Sequence, residues 1–269
     1  MEAKEKIKFY LDKFDYYLEK YMPKQESGLK NAMNYTLKAP CKRIRPLIML
    51  AFYELCSGKS EEIYKFACAL EMIHTYSLIH DDLPCMDNDE IRRGKKCSHL
   101  EFGEATAVLA GDALLTHAFE VASSSEGGIS NYENTLKCIN ILSHYAGACG
   151  MVLGQYYDLN EEKVEILKLH ELKTANLFIA AAKIAATLAS ADEEKIKLSE
   201  KFAWSVGISF QLVDDIIDGD IKLEDKLPFG SVEDFIFKLI GEAEDILKKF
   251  DGDSSILRYL LGLICSKIK

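Results

Sequence analysis

The sequence predicts an all-α protein folded as one domain over residues 1–269, and three observations carry that expectation. Ala, Leu, Ile, Lys and Glu dominate, while only five prolines and sixteen glycines occur in 269 residues, a helix-forming composition. Apolar residues recur at helical spacing and no stretch alternates convincingly as a strand does. Neither an internal repeat nor a linker divides the chain, so about ten helices must share one core. Hydrophobic residues make up 48%, which supplies that core.

Taken in order, residues ~3–21 form an amphipathic helix with Ile7, Leu11, Phe14 and Leu18 on one stripe, followed by Pro23. A short helix over ~26–38 leads to the basic stretch KAPCKRIRP, with Lys38, Lys42, Arg43 and Arg45. Taken alone, that stretch reads equally well as an ordinary exposed loop. Pro46 can sit in the first turn of the next helix, where its missing N–H is harmless. That helix, ~46–57, is apolar on nearly every side and should be buried. Ser57-Gly58-Lys59-Ser60 resembles the end of a P-loop, but Tyr53 stands where its first glycine belongs and no strand precedes it.

A helix over ~60–83 runs into the acidic stretch Glu71–Gly94, EMIHTYSLIHDDLPCMDNDEIRRG. Beyond a loop to ~103, helices follow at ~104–123, ~131–157, ~162–190, ~192–218, ~231–250 and ~253–267. Lys173, Thr174 and Asn176 interrupt the otherwise apolar helix at ~162–190, where an edge lysine would ordinarily snorkel to solvent. Gly219 can end the helix that carries Trp204.

The acidic stretch carries the chemistry. Asp81, Asp82, Asp87, Asp89 and Glu90 fall within ten positions, and Arg92 and Arg93 follow at once. Clustered carboxylates repel and cost desolvation energy unless a cation sits among them. Mg²⁺ takes carboxylate oxygens and shares substrate phosphates, and forked arginine donors match a diphosphate. A solvated helix end is the plain alternative for one such cluster. A second one, Gln211–Asp220, QLVDDIIDGD, weighs against it: Asp214 and Asp218 share a helix face with Gln211, among Leu212, Val213, Ile216 and Ile217. Asp81 and Asp87 are six apart, so a straight helix would not bring them together; a break at Pro84 can. Calcium loop spacing fails, since counting from Asp87 puts Arg92 at position six and Ser98 at position twelve.

Several classes are disfavoured. A net charge of −10, from 33 basic and 43 acidic residues, argues against nucleic acid as the main partner. No HExxH, GxSxG or CxxC occurs, and the eight cysteines read as free thiols of a reducing cytosol. The N-terminus is a charged amphipathic helix rather than a signal peptide, and no uncharged run reaches ~18 residues, so a cytoplasmic protein without a membrane span is expected.

IHDDLPCMDND with RRG, VDDIID, KRIRP, FGEATAVLAGDALL, Lys173-Thr174 and FQLVDDIID, in that arrangement from about Lys42 to Asp220, resemble the trans-prenyl diphosphate synthases, most closely the farnesyl and geranylgeranyl group. The resemblance implies a single-domain isoprenoid synthase fold around a central cavity, usually a homodimer. It implies condensation of isopentenyl diphosphate with an allylic diphosphate using three Mg²⁺. Asp81 and Asp87 would bind two metals with Asp82 in support, and Asp214 the third with Asp215 and Asp218 nearby. Arg92 would hold the allylic diphosphate, and Lys42, Arg45, His74 and Arg93 the isopentenyl diphosphate. Lys173, Thr174 and Gln211 would line the reacting centre. Tyr76 and Ser77, five and four residues before Asp81, would meet the growing tail, and the Tyr76 phenol favours a C15 product. A C20 product, a non-catalytic subunit of a heteromeric synthase and a terpene cyclase are the alternatives. The last would not need Lys42, Arg45 and His74.

The sequence departs from the family after the second cluster. Gly219-Asp220 follows Asp218 directly, and KLEDKLPFGS replaces the usual lysine-bearing loop. Lys226 stands where that loop's first lysine would fall, and the second lysine has no counterpart.

Overall fold

A computed structural model describes residues 3–125, 129, 131–160, 163–219 and 230–268. Helix α1 (Ala3–Tyr21) lays its Phe14, Tyr17 and Leu18 stripe on the core, as the periodicity requires. Helix α2 (Gly28–Leu37) begins at Ser27, whose hydroxyl accepts from the Lys30 N–H. Helix α3 (Ile44–Leu55) holds Pro46 in its first turn and is buried over nearly its whole length.

Helix α4 (Ile63–Asp81) is the longest continuous buried element on the way to the first acidic stretch. Its neighbour α6 (Glu104–Ser123) packs along it through small residues: Ala107, Ala110, Gly111 and Ala118 are fully or almost fully buried. At Gly111 even a methyl group would collide with the His80 ring, so the close approach demands glycine. Between α4 and α6 lie features the sequence reading assigned to loop. They are a two-residue antiparallel ribbon, β1 (Ile91–Arg92) with β2 (Lys95–Lys96), and a short helix α5 (Ser98–Phe102). Too short for a periodic signal, both follow from the tight turn at Arg93-Gly94, where both residues have positive φ.

The helix expected over ~131–157 is instead two, α7 (Tyr132–Ala146) and α8 (Met151–Leu159). A turn at Gly147–Gly150 separates them, with Gly150 pressed against the carbonyl of Tyr145. This stretch, Tyr132–Leu159, has the length and mean hydropathy (1.2) of a membrane-crossing helix, but the turn breaks its continuity.

Helices α9 (Ile166–His170) and α10 (Asn176–Leu188) flank a π-helical turn, Glu171–Ala175, which carries Lys173 and Thr174. Helix α10 is the hub: it packs on α3, α4, α7 and α11 (Glu193–Asp218), and its alanines are buried completely. Helices α12 (Val232–Leu247) and α13 (Ser255–Cys265) close the side near α11. One connected core of buried residues runs from Phe14 to Ile264.

Candidate active site

The end of α4 does what Pro84 allowed. After Asp81 the chain turns back, and the Asp87 N–H donates to the Asp81 carbonyl at 2.8 Å. The two aspartates expected to share a cation therefore face one turn instead of opposite sides of a helix. Asp82 is buried elsewhere: Arg92 donates to its Oδ1 from Nε at 2.8 Å, and the Arg92 guanidinium also pairs with Asp89. Asp82 thus fastens Arg92 and stays out of the cavity.

Asp81 is not satisfied in that way. Burial pushes its carboxyl up to about 7 against the opposing pull of Lys173, with Asp87 and Asp82 adding repulsion. A half-buried carboxylate held in that state is a site for a cation. The described residues contain no group of three or more acidic, His or Cys side chains that could cage a metal. Mg²⁺ does not need one, since it is held by one or two carboxylates plus substrate phosphate and water. The hard oxygens of Asp81 and Asp87 fit it.

A cavity of 410 Å³ runs inward from this point. Asp81, Lys173 and Thr174 stand among its polar lining, and Leu78, Met86, Met151, Val152 and Leu177 among its apolar walls. Tyr76 lies along it, buried, with its ring edge-on to His80 at 5.7 Å between centroids. His80 is fixed in turn, with Nε2 3.1 Å from the Val108 carbonyl of α6. Ser77 also lines the cavity, its hydroxyl donating back to the His74 carbonyl.

A second cavity of 330 Å³ opens beside it and collects the basic residues. Lys42, Arg45, His74, Arg92 and Arg93 line it together, five residues from three separated stretches of the chain. Arg45 is half-buried. Its guanidinium lies 4.6 Å from the centre of the Phe178 ring, it contacts His74 Nε2 at 3.2 Å, and its Nε has no hydrogen-bond partner. Burial lowers it to about 10, and the same burial, reinforced by Arg45 and Arg93, holds His74 well below the usual imidazole range and so neutral. A guanidinium with a donor left unmet is poised for an anion.

Sequence reasoning missed the residue that organises this pocket. Glu71, 1% exposed, accepts from Arg43 at 2.6 Å and from Arg93 at 3.4 Å. Arg43 and Arg93 also donate to the carbonyls of Leu37 and Thr36, and both have positive φ, at 48° and 52°. That strain is tolerated because the ion pairs over-determine it. The only signal was an acid opening the apolar stretch at Glu71.

The second acidic cluster is arranged differently. Thr174 donates to Gln211 Oε1 at 2.6 Å, and Gln211 Nε2 donates to Asp215 at 2.8 Å, while His170 sits 3.3 Å from Asp215. Thr174 lines the large cavity but Gln211 does not, so Gln211 acts on the cavity only through Thr174. The Gln211 amide is thus held between Thr174 of the π-helical turn and Asp215 of its own helix. Asp214 is paired with Lys267 at 3.2 Å, near the end of the chain, and Lys173 is paired with Asp158 of α8. Asp214 nonetheless belongs to the same neighbourhood, since its charge is felt by Arg45, which lines both cavities. Lys226 lies outside the described residues.

The family model described as polyprenyl synthetase matches residues 26–225, about three quarters of the chain. The chain belongs to the polyprenyl synthetase family. A farnesyl diphosphate synthase of Bacillus subtilis (strain 168) is 46% identical over 196 residues, covering 71% of this chain and 66% of that enzyme. The chain therefore spans just under two thirds of that relative. A farnesyl diphosphate synthase of Micrococcus luteus is 42% identical, covering 93% of this chain and 81% of its own length. A geranylgeranyl pyrophosphate synthase of Arabidopsis thaliana is 39% identical, covering 87% and 74%. Among solved structures, a geranyltransferase from Legionella pneumophila superposes with a TM-score of 0.90 at 30% identity, covering 98% of this chain and 97% of that one. The architecture is thus the isoprenoid synthase fold, and by family the chain is a trans-prenyltransferase.

Proposed function

We propose that this polyprenyl synthetase condenses isopentenyl diphosphate with an allylic diphosphate, dimethylallyl or geranyl, and releases farnesyl diphosphate. The observation that carries this reading is the pairing of two cavities side by side. One is long and mostly apolar, the other basic, and Arg45 and His74 border both.

Asp81 and Asp87, with Asp214 across the site, would hold three Mg²⁺, whose bound charge neutralises the departing diphosphate. Arg92, fastened by Asp82, grips the allylic diphosphate, and Lys173 swings from Asp158 towards it. The C1–O bond breaks with its electron pair leaving on diphosphate. An allylic cation remains in a cavity with little water. Thr174, whose hydrogen is committed to Gln211, turns its oxygen lone pairs to that cation. Lys42, Arg45 and Arg93 hold the isopentenyl diphosphate, with neutral His74 as a hydrogen-bonding partner to Arg45. Its double bond supplies the electron pair of the new C–C bond, and a proton then passes to the released diphosphate.

Product length rests on Tyr76. Packed against His80, its ring supports a C15 limit. A C20 product is the second reading, favoured by the geranylgeranyl synthases among the relatives. Tyr76→Ala should move the product from C15 to C20 or longer with primer and Mg²⁺ supplied. An unchanged distribution would place the stop deeper.

The reading also includes a single domain, a cytoplasmic location and a homodimer. Val108 and Leu109 of α6 and Tyr132 and Leu136 of α7 are exposed apolar residues that support the last. Light scattering at micromolar concentration tests it.

A further inference from the structure

Glu171–Ala175 is the only π-helical turn among the described residues, and it carries Lys173 and Thr174. Such turns occur mostly singly inside α-helices, often at functional sites. Adjacent residues of an α-helix do not share a face, yet Lys173 and Thr174 both line the large cavity. The wider turn aims the pair, and the helices packed on it hold its shape.

Two helices press on this turn at glycines. On α8, a Cβ at Gly154 would collide with the backbone of Leu172 and Lys173, 2.8 Å from the Leu172 carbonyl carbon. On α11, a Cβ at Gly207 would lie 2.6 Å from both Cα and Cβ of Ala175. Trp204, Gly207 and Gln211 fall at i, i+3 and i+7, on one face of α11. Each meets the turn: the Trp204 indole donates to Glu171 at 2.9 Å, Gly207 abuts Ala175, and Gln211 accepts from Thr174 at 2.6 Å. The middle position of that face has no side chain, so α11 comes close enough for both flanking bonds to form. On α8, Gly154 lies one turn before Asp158, the partner of Lys173.

We propose that Gly154 and Gly207 are positioning residues that clamp the π-helical turn from two sides and so set where the Lys173 ammonium and the Thr174 hydroxyl stand in the cavity. The proposal rests on the prenyltransferase reading above. Neither glycine touches substrate. The turn's backbone cannot yield to a methyl group as the end of a flexible side chain can, so a larger residue pushes the helix or the turn aside. At Gly207 that movement parts Gln211 from Thr174, and at Gly154 it displaces Lys173. A misplacement on the order of 1 Å at a reacting centre can cost about 100-fold in rate. The basic cavity lies off this path, since Lys42, His74 and Arg93 come from other elements.

Gly207→Ala and Gly154→Ala should each lower kcat about 10- to 100-fold and raise KM for the allylic diphosphate, while KM for isopentenyl diphosphate stays within about twofold. Trp204, the single tryptophan, reports on the clamp without substrate: its emission should move to longer wavelength in Gly207→Ala as the bond to Glu171 is lost. Gly252→Ala supplies a matched clash elsewhere, 2.6 Å from the Leu55 carbonyl oxygen at the far end of α3 from Arg45. It should lower Tm as the other two do and leave kcat and both KM values within about twofold of the parent. If an alanine variant does not fold, Trp204→Phe loosens the same face of α11 without a clash, and should lower kcat at least about threefold with KM for isopentenyl diphosphate unchanged. Parent-like kinetics, an unmoved emission maximum, equal rises in both KM values, or an equal loss of kcat in Gly252→Ala would each overturn the proposal. If the parent protein itself forms no prenyl product, the prenyltransferase reading fails, and the emission shift still decides the clamp.

Discussion

The two acidic helix ends look alike as sequences and differ as structures. At the end of α4, Asp82 is fully engaged by Arg92, the chain doubles back to bring Asp87 to Asp81, and Asp81 is left with a carboxyl raised by burial. At the end of α11, two of the three acids already have partners. Asp215 sits between Gln211 and His170, Asp214 faces Lys267, and Asp218 is exposed. The same residue pattern thus yields one end with an unmet demand for positive charge and another whose demand the protein meets itself. Burial is the deciding variable: Asp214 keeps 37% of its side chain exposed, and water and a lysine suffice there.

The contrast can be broken most decisively by activity. Asp81→Asn should lower kcat by on the order of a thousandfold, about 4 kcal/mol of barrier, whereas Asp214→Asn should cost about one to two powers of ten. Equal losses in a steady-state assay at saturating Mg²⁺ would erase the distinction.

Stability is the next measure. Arg92→Ala strands the buried Asp82 and should lower the unfolding free energy by about 2–4 kcal/mol in urea titration. Lys267→Ala removes a partly exposed pair and should change it by no more than about 0.5 kcal/mol. Comparable effects would show that the two ends are equally committed to the fold.

A third measure depends on pH. The Asp81 carboxyl is raised from its usual 3.8 to about 7. Its folded form therefore resists ionisation, and the cost is absent below pH ~4, grows between the two values and is complete above ~7. In metal-free protein Asp81→Asn should raise stability by about 1–3 kcal/mol at pH 8 and leave it unchanged at pH 4. A pH-independent difference would mean that Asp81 is not strained by burial.

Much of this was legible in the chain. The helices at Ala3–Tyr21, Glu104–Ser123 and Glu193–Asp218 fall where the periodicity and the caps put them. Pro84 announced the turn that joins Asp81 to Asp87. The spaced motifs anticipated that Lys42, Arg45, His74 and Arg93 would meet. What escaped was whatever lacked a local signature. The break between α7 and α8 sits in an apolar run, with glycines at 147 and 150 bounding the turn. Glu71 resembled any helix acid until Arg43 and Arg93 closed on it.

The sequence alone determined the all-α class, most of the long helices and the chemical kind of site, because periodicity, capping and charged motifs are written in neighbouring residues. Only the tertiary structure decided which acid is left wanting a cation and which arginine is buried against an acid. Those outcomes depend on how far each group is withdrawn from water and on what a distant helix brings beside it. Neither quantity is encoded at the position itself.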